Sequence, residues 1–445
     1  MTEELLSLLL QKKYHQLKEQ LAHMEPADIA ISFGDLPENY HPLLFRLLPK
    51  ELAAEVFVEL DSDMQEKLIT GFSDSELKEV VDELYVDDAV DIIEEMPANV
   101  VKRILRHADP VMRKDINQML RYPADSAGSI MTTEFVDLKK DMTVADAFTH
   151  IRRTGMDKET IYTCYVIDKN RILEGLVSVK DLLLSDYSCL IEDIMETDII
   201  YINTMEDQEE AARRFDKYDF LAMPVVDNER RLVGIITVDD AIDVIQEEAT
   251  EDIEKMAAIT PSDKPYLKTG VLETYRQRIP WLLLLMISAT FTGSIIQHYE
   301  DAFLAYSVLN AFVPMLMDTG GNSGSQSSVT IIRGLSLGDI RFRDIFRIVF
   351  KEMRVAVVCG VTLAAANFVK LLFLDRVGLS IAAVVCSTLV CTVIFAMVVG
   401  CSLPVLAKKL GLDPAVMASP FITTIVDAAS LIIYFKFATA ILHIV

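Results

Sequence analysis

The sequence predicts a multi-domain membrane protein: an all-α helical N-terminal domain, an α+β tandem repeat, and an all-α transmembrane domain of five helices. Three observations predict it. Residues 1–270 carry 57 acidic and 29 basic residues, whereas residues 271–445 carry only 10 and 13. One strand-and-helix pattern occurs twice between residues 130 and 242. Five apolar stretches then fill the last part of the chain.

The first domain is expected over residues 1–126. Pro37, Pro49, Asp61, Ser73, Pro97 and Asp109 mark breaks at multiples of twelve residues, separated by apolar stripes such as LAAEVFVEL and LKEVVDEL. Short helices with start signals at this interval suggest a solenoid of helix pairs. A stack of this kind is a scaffold or partner surface. No signal peptide is expected, because acids precede the first apolar run and no small-residue cleavage site follows it.

The repeat follows, as units 127–187 and 188–248. IMTTEFVDLKKDMTVADAFTHIR matches IMETDIIYINTMEDQEEAARRFD, and CYVIDKNRILEGLVSVKDLL matches MPVVDNERRLVGIITVDDAI. Each copy reads strand, helix, strand, turn, strand, helix. Gly175 and Gly234 recur after each turn motif, where a tight hairpin is expected. The pattern resembles a tandem pair of cystathionine-β-synthase-type (CBS) domains. That resemblance implies a regulatory module that holds dimers together or binds an adenosine nucleotide such as ATP, with Lys180 and Phe220 placed to contact it.

Residues 249–278 are expected to form a connecting helix. Apolar spans are expected near 281–299, 303–332, 350–373, 380–406 and 416–443, since a span needs about twenty residues. Basic residues cluster before the first span (Lys264, Lys268, Arg276, Arg278), before the third (Arg333, Arg341, Arg343, Arg347, Lys351, Arg354) and after the fourth (Lys408, Lys409). The links around HYED at 298–301 and DRVG at 375–378 are nearly free of net positive charge. This asymmetry puts the N-terminal part in the cytoplasm and the C-terminus outside, in a cell membrane. Five spans suit a symmetric dimer better than a pore built by one chain.

Strong acidity argues against nucleic acid as a partner. The six cysteines are scattered without a CxxC pair, and Cys359, Cys386 and Cys391 sit in apolar stretches as small buried thiols.

The carboxylates carry the chemistry. Asp88 and Asp91 are three apart, with Glu94 and Glu95 one turn on; Asp240 and Asp243 repeat the spacing. IQEEATEDIEKM then supplies Glu247, Glu248, Glu251 and Asp252. Like charges at this spacing repel on a helix, and a hard divalent cation would relieve them. A solvated acidic face is the bland alternative.

In the apolar part, Asp427 lies within SPFITTIVDAASLIIYF. A carboxylate at membrane depth costs at least a few kcal/mol and marks an ion path unless it is paired. Lys370 and Lys436 are the candidate pairing partners, and both could instead snorkel. Thr423, Thr424, Ser430 and Tyr434 would form a polar stripe with Asp427. Asp413 would lie about 21 Å nearer the cytoplasm along a straight helix. Pro314, Gly320, Gly321 and Gly324 are expected to break the second span beside an aqueous cavity, or else to serve close helix packing. Asp318-Thr319-Gly320 spells the aspartic-protease triplet. Asp427, the second carboxylate of such a dyad, lacks a matching glycine.

The order of parts, with PMLMDTGGNSGSQSS, EEATEDI and SPFITTIVDAA, resembles the MgtE-type magnesium channel family over essentially the whole chain. The resemblance implies a non-enzymatic homodimer with its pore on the dimer axis. Asp427 would carry a hydrated Mg²⁺ and Asp413 would sit at the pore mouth. The connecting helix would be a plug whose Glu248, Glu251 and Asp252 contact Mg²⁺. Asp219, Asp240 and Asp243 would be sensor carboxylates of the second CBS unit, and Asp88 and Asp91 those of the helical domain. Ser419 stands where some members hold Asn. The expected function is Mg²⁺ uptake through a channel that cytosolic Mg²⁺ closes by bridging the acidic faces. The alternatives are a membrane-anchored sensor signalling to a partner protein and an ion-coupled carrier.

Overall fold

The computed structural model describes residues 2–262, 266–267, 269–299, 306–417 and 419–443. The chain divides into two units, Met1–Ile245 and Gln246–Val445.

The first unit begins with short helices: α1 (Thr2–Leu10), α2 (Tyr14–Leu21), α3 (Pro26–Asp35), α4 (His41–Phe45), α5 (Lys50–Val58), α6 (Ser62–Gly71), α7 (Asp74–Val81), α8 (Val86–Glu95), α9 (Ala98–His107) and α10 (Pro110–Met119). Helices α5 to α10 start after Pro49, Asp61, Ser73, Tyr85, Pro97 and Asp109, a constant step of twelve residues. Asp61 and Asp109 accept backbone N–H bonds, and Ser73 closes a capping box with Glu76. Tyr85 keeps the step without a side-chain cap, which is why the sequence hides it. Helices of eight to ten residues are marginal alone; Phe33, Leu44, Phe57, Ile69, Leu77 and Ile93 bury their faces in one shared core.

The repeat is regular. The first copy has β1 (Val136–Leu138), α11 (Val144–Thr154), β2 (Thr163–Ile167), β3 (Leu173–Ser178) and α12 (Val179–Leu184), and α13 (Ile191–Ile194) opens the second. The second has β4 (Ile202–Asn203), α14 (Gln208–Tyr218), β5 (Ala222–Val226), β6 (Leu232–Thr237) and α15 (Val238–Met256). In each, the first strand pairs parallel with the second, and the second antiparallel with the third.

The hairpin glycines are not turn residues, contrary to expectation. Gly175 and Gly234 lie within β3 and β6, where a Cβ would stand 2.7 Å from Met195 Sδ and 2.6 Å from the Thr132 carbonyl. The left-handed turn positions are Arg171 (φ 66°) and Arg230 (φ 62°). Asp168 and Asp227 hold these turns by accepting backbone N–H bonds.

In the second unit the connecting helix expected over 249–278 is two helices. α15 ends at Met256, Ala258 turns left-handed (φ 54°), and α16 (Val271–His298) starts after Gly270. The remaining long helices are α17 (Val313–Ser336), α18 (Ile345–Phe373), α19 (Leu379–Lys409) and α20 (Ser419–Leu442). Among the described residues, four helices are long and apolar enough to cross a membrane: α16, α18, α19 and α20. α17 is the second expected span; at 24 residues it is long enough, but its Gly, Ser, Asn and Gln make it too polar to qualify by composition.

The expected break in that span is absent, because α17 runs unbroken through Gly320, Gly321 and Gly324. These glycines form a packing seam. A Cβ on Gly320 would lie 2.7 Å from Thr392, on Gly321 2.9 Å from Thr423, and on Gly324 2.7 Å from Ile422. Gly400 of α19 faces the Gly324 carbonyl so closely that a Cβ there has no room. Small residues thus bring α17 into backbone contact with α19 and side-chain contact with α20.

Candidate cation sites

Two groups of carboxylates form within the units, and a third, smaller one lies along α20. The first group joins α8, α15 and the loop before β2. Asp88 is half-buried and its pKa is pushed up to about 7, by burial and then by the charges of Asp240, Asp239 and Glu134. Glu159 is pushed up to about 8 by burial and then by Asp88, Asp239 and Asp240. Asp240 rises to about 6 through burial, although its bond from Thr237 works the other way. Asp87 is buried outright and shifted well above the usual range for the same reasons, burial first and Asp240 next.

Asp240 also has a local role. It caps α15 by accepting from Thr237, as Asp181 caps α12 by accepting from Ser178. Only the second copy of this cap meets other carboxylates. Asp91 lies one turn from Asp88 and is exposed. Asp243 is shifted up by burial and by Asp239. Asp219 stands apart, ending α14 in the left-handed conformation (φ 54°) that aspartate tolerates. The sequence reading missed Glu159 and Glu134, which lie in loops and carry no helical spacing; only closure of the first CBS copy brings them in. Among the described residues, no three His, Cys, Asp or Glu side chains converge as a ready-made metal cage.

The second group lies at the end of α15. Lys255 Nζ stands 2.7 Å from Asp413 Oδ2 and 2.5 Å from Glu251 Oε1. Asp252 accepts from Ser336 Oγ at 2.8 Å, and Met256 packs with Ile332 and Ala415. Burial raises the Asp252 pKa against the pull of the Ser336 bond. Glu248 is half-buried on the same helix. Asp413 is not on α20, as a straight helix would require. Gly411 (φ 72°) turns the chain after α19, and Asp413 accepts from Ala415 N at 2.8 Å before the α20 helix begins.

Asp427 lies eight residues into α20, about 12 Å along a helix of about 36 Å. It is half-buried, and Asp318 of α17 is near enough for its charge to act on it. Lys370 pairs with Asp375 at 2.9 Å, so it is not Asp427's partner. Asp427 forms no ion pair with Lys436 either. The expected polar stripe divides. Ser430 and Tyr434 are buried in the bundle, donating to Val426 O and Leu309 O, while Thr423 and Thr424 donate back to Pro420 O. Lys264, Lys268, Glu300, Asp301 and the Ser419 side chain lie outside the described residues.

For the nucleotide, Phe220 is half-buried, stacked on Tyr218 at 5.4 Å, and Lys180 is exposed at the start of α12.

Comparison with known proteins gives the same order of parts. The MgtE divalent cation transporter model matches residues 313–437, the MgtE intracellular N domain residues 24–125, and CBS domains residues 127–186 and 191–247. A magnesium transporter MgtE from Thermus thermophilus is 37% identical, with both chains covered in full. The chain belongs to the MgtE family. The Bacillus subtilis MgtE is 34% identical over 98% of this chain and 96% of its own. The cytosolic domain of an Mg²⁺ channel MgtE, solved with ATP, superposes with a TM-score of 0.53 at 35% identity, covering 55% of this chain and all of that one. The soluble part of a magnesium transporter gives 0.53 at 31% identity, over 56% of this chain and all of that one. MgtE proteins are transporters and not enzymes, so the Asp318-Thr319-Gly320 triplet is not a protease signature here.

Proposed function

We propose that the chain is a homodimeric Mg²⁺ channel for magnesium uptake, closed from the cytosolic side by Mg²⁺. One observation carries the reading: Asp427 lies on a helix apolar enough to cross a membrane and has no cationic partner among the described residues. An uncompensated carboxylate there is expensive and serves an ion. Mg²⁺ dehydrates reluctantly, so Asp427 would hold a hydrated ion through its waters. The N-terminal unit and α15 would be cytoplasmic and the C-terminus outside.

Closure follows from the same electrostatics. Asp87, Asp88, Glu159 and Asp240 crowd together and hold protons above their ordinary range. A divalent cation would replace those protons and favour the compact form. Glu248, Glu251 and Asp252 with Asp413 would do the same at the end of α15. Asp91, Asp219 and Asp243 would be outlying sensor ligands. ATP would bind the CBS pair through Phe220 and Lys180.

The test is Mg²⁺ uptake into liposomes holding purified protein. Asp427→Ala should abolish uptake while the dimer persists; uptake at the wild-type rate would refute the channel site. The same liposomes separate the other readings. A sensor gives no flux, and a coupled carrier needs a proton or sodium gradient.

A further inference from the structure

α18 is longer than a membrane requires. Its 29 residues reach about 44 Å, against a hydrocarbon layer of about 30 Å. Residues 355–373 alone cover about 28 Å and carry one charge, Lys370, near their far end. Residues 345–354 therefore stand at headgroup depth, and they include Arg347, Lys351 and Arg354. These three fall three and four residues apart, on one line of the helix, and all are exposed. Lys351 and Arg354 form no ion pair among the described residues, and Arg347 meets Asp344 only at 4.0 Å. Val358 and Val361 continue the same line into the span, 67% and 55% exposed. Phe346 and Phe350 lie alongside, also exposed, and the Arg354 guanidinium sits 5.8 Å from the centre of the Phe350 ring. The opposite side of α18 is the packed one. There Ser327 of α17 donates to Glu352 at 2.8 Å, and a Cβ on Gly360 would stand 3.3 Å from Val390 of α19.

We propose that this outer face of α18 binds an anionic phospholipid. Lys351 and Arg354 take the lipid phosphate, the lysine as a point charge and the arginine as a fork. Val358 and Val361, directly beyond them, take the start of an acyl chain. A cation row followed by an apolar row on one line has the shape of such a lipid. Inside-positive charge bias needs only cations in the connecting segment; it does not need them stacked above exposed valines. A zwitterionic lipid brings its own ammonium to the phosphate and gains less from the two side chains. The site is independent of Mg²⁺ and of the route the ion takes.

The experiment is native mass spectrometry of the full-length protein in detergent, titrated with phosphatidylglycerol or with phosphatidylcholine of the same chains. It reads bound lipid and subunit number together. The wild type should retain phosphatidylglycerol in preference to phosphatidylcholine. Lys351→Gln with Arg354→Gln should lower that preference roughly fivefold for each cation removed, while Lys351→Arg with Arg354→Lys should keep it. Arg276→Gln with Arg278→Gln removes the same charge from the exposed start of α16 and should also keep it. An unchanged preference in the α18 double variant would overturn the proposal, as would an equal loss in the α16 variant, which reports bulk charge alone. Soluble glycerol phosphate should not displace the lipid; displacement would assign the face to free phosphate and overturn the proposal. So would an α18 double variant found as a monomer, since the face would then be a subunit contact. If that variant is not recovered folded, Arg354→Gln alone is read, with a roughly fivefold loss expected and an unchanged preference again decisive against the site.

Discussion

Lys255 places its ammonium between Glu251 and Asp413, 2.5 Å from one and 2.7 Å from the other. A residue of α15 thereby supplies the positive charge that joins this helix to the segment ahead of α20. Burial works against that charge, but the bonds to Asp413 and Glu251 outweigh it and raise the lysine pKa, so the ammonium persists throughout the physiological range.

Lys255→Gln leaves Glu251 facing Asp413 with nothing between them. Flux at zero cytosolic Mg²⁺ should rise about two- to tenfold, while saturating Mg²⁺ should still close the pathway by bridging the two carboxylates. Lys255→Arg should behave as wild type. Patch recording with stepped internal Mg²⁺ checks this, and an unchanged Mg²⁺-free current in the Gln variant would show the lysine to be a bystander. Glu251→Gln with Asp252→Asn should instead raise the Mg²⁺ concentration needed for closure.

Asp88, Glu159 and Asp240 have raised pKa values, so they oppose folding once ionised. The stability they allow is complete below the ordinary carboxylate range and is lost as pH rises through about 6 to 8. In chelator, the full chain should therefore melt at a higher temperature at pH 6 than at pH 8. Millimolar Mg²⁺ should narrow that gap. Asp88→Asn should raise the melting temperature at pH 8 without metal and blunt the Mg²⁺ response. A melting temperature that ignores both pH and Mg²⁺ would rule out this group as a sensor.

The glycine seam predicts a contrast between two substitutions. Gly400→Ala forces a methyl onto the Gly324 carbonyl and should destabilise by about 1–3 kcal/mol. Gly293→Ala has nothing within 4 Å and should be neutral or stabilising by up to about 1 kcal/mol. Thermal unfolding in detergent distinguishes them, and equal stabilities would contradict the packing described.

Phe220→Ala should weaken ATP binding to the full chain about tenfold, while Phe220→Tyr retains the stacking face and most of the affinity. Lys180→Ala should weaken it several-fold. Titration with a fluorescent ATP analogue reads both; unaltered affinity in Phe220→Ala would place the nucleotide elsewhere.

Much of this was legible in sequence for a physical reason: caps and periodicities are local. Asp61, Ser73 and Asp109 announce helices because the capping bond spans two or three residues, and the repeat announces itself twice. Gly320, Gly321 and Gly324 misled because glycine weakens an isolated helix, whereas here Thr392, Thr423 and Ile422 fill the space its missing side chains leave. Glu159 was invisible because its partners are far away in sequence, and the bond from Lys255 to Asp413 was invisible for the same reason, although Glu251 lies one turn from Lys255. Asp413 was misplaced because Gly411 turns the chain where a straight helix was assumed. The family resemblance supplied the ion's identity, which no spacing of carboxylates encodes.

The seam has one further consequence. Where Gly324 meets Gly400, two backbones touch with no side chain between them to change rotamer. Such a joint has no slack: it holds its spacing or comes apart. α17 and α19 therefore move as one slab, and if the proposed ion path runs past Asp427, its widening would be taken up at other helix boundaries, where long side chains can slide over one another.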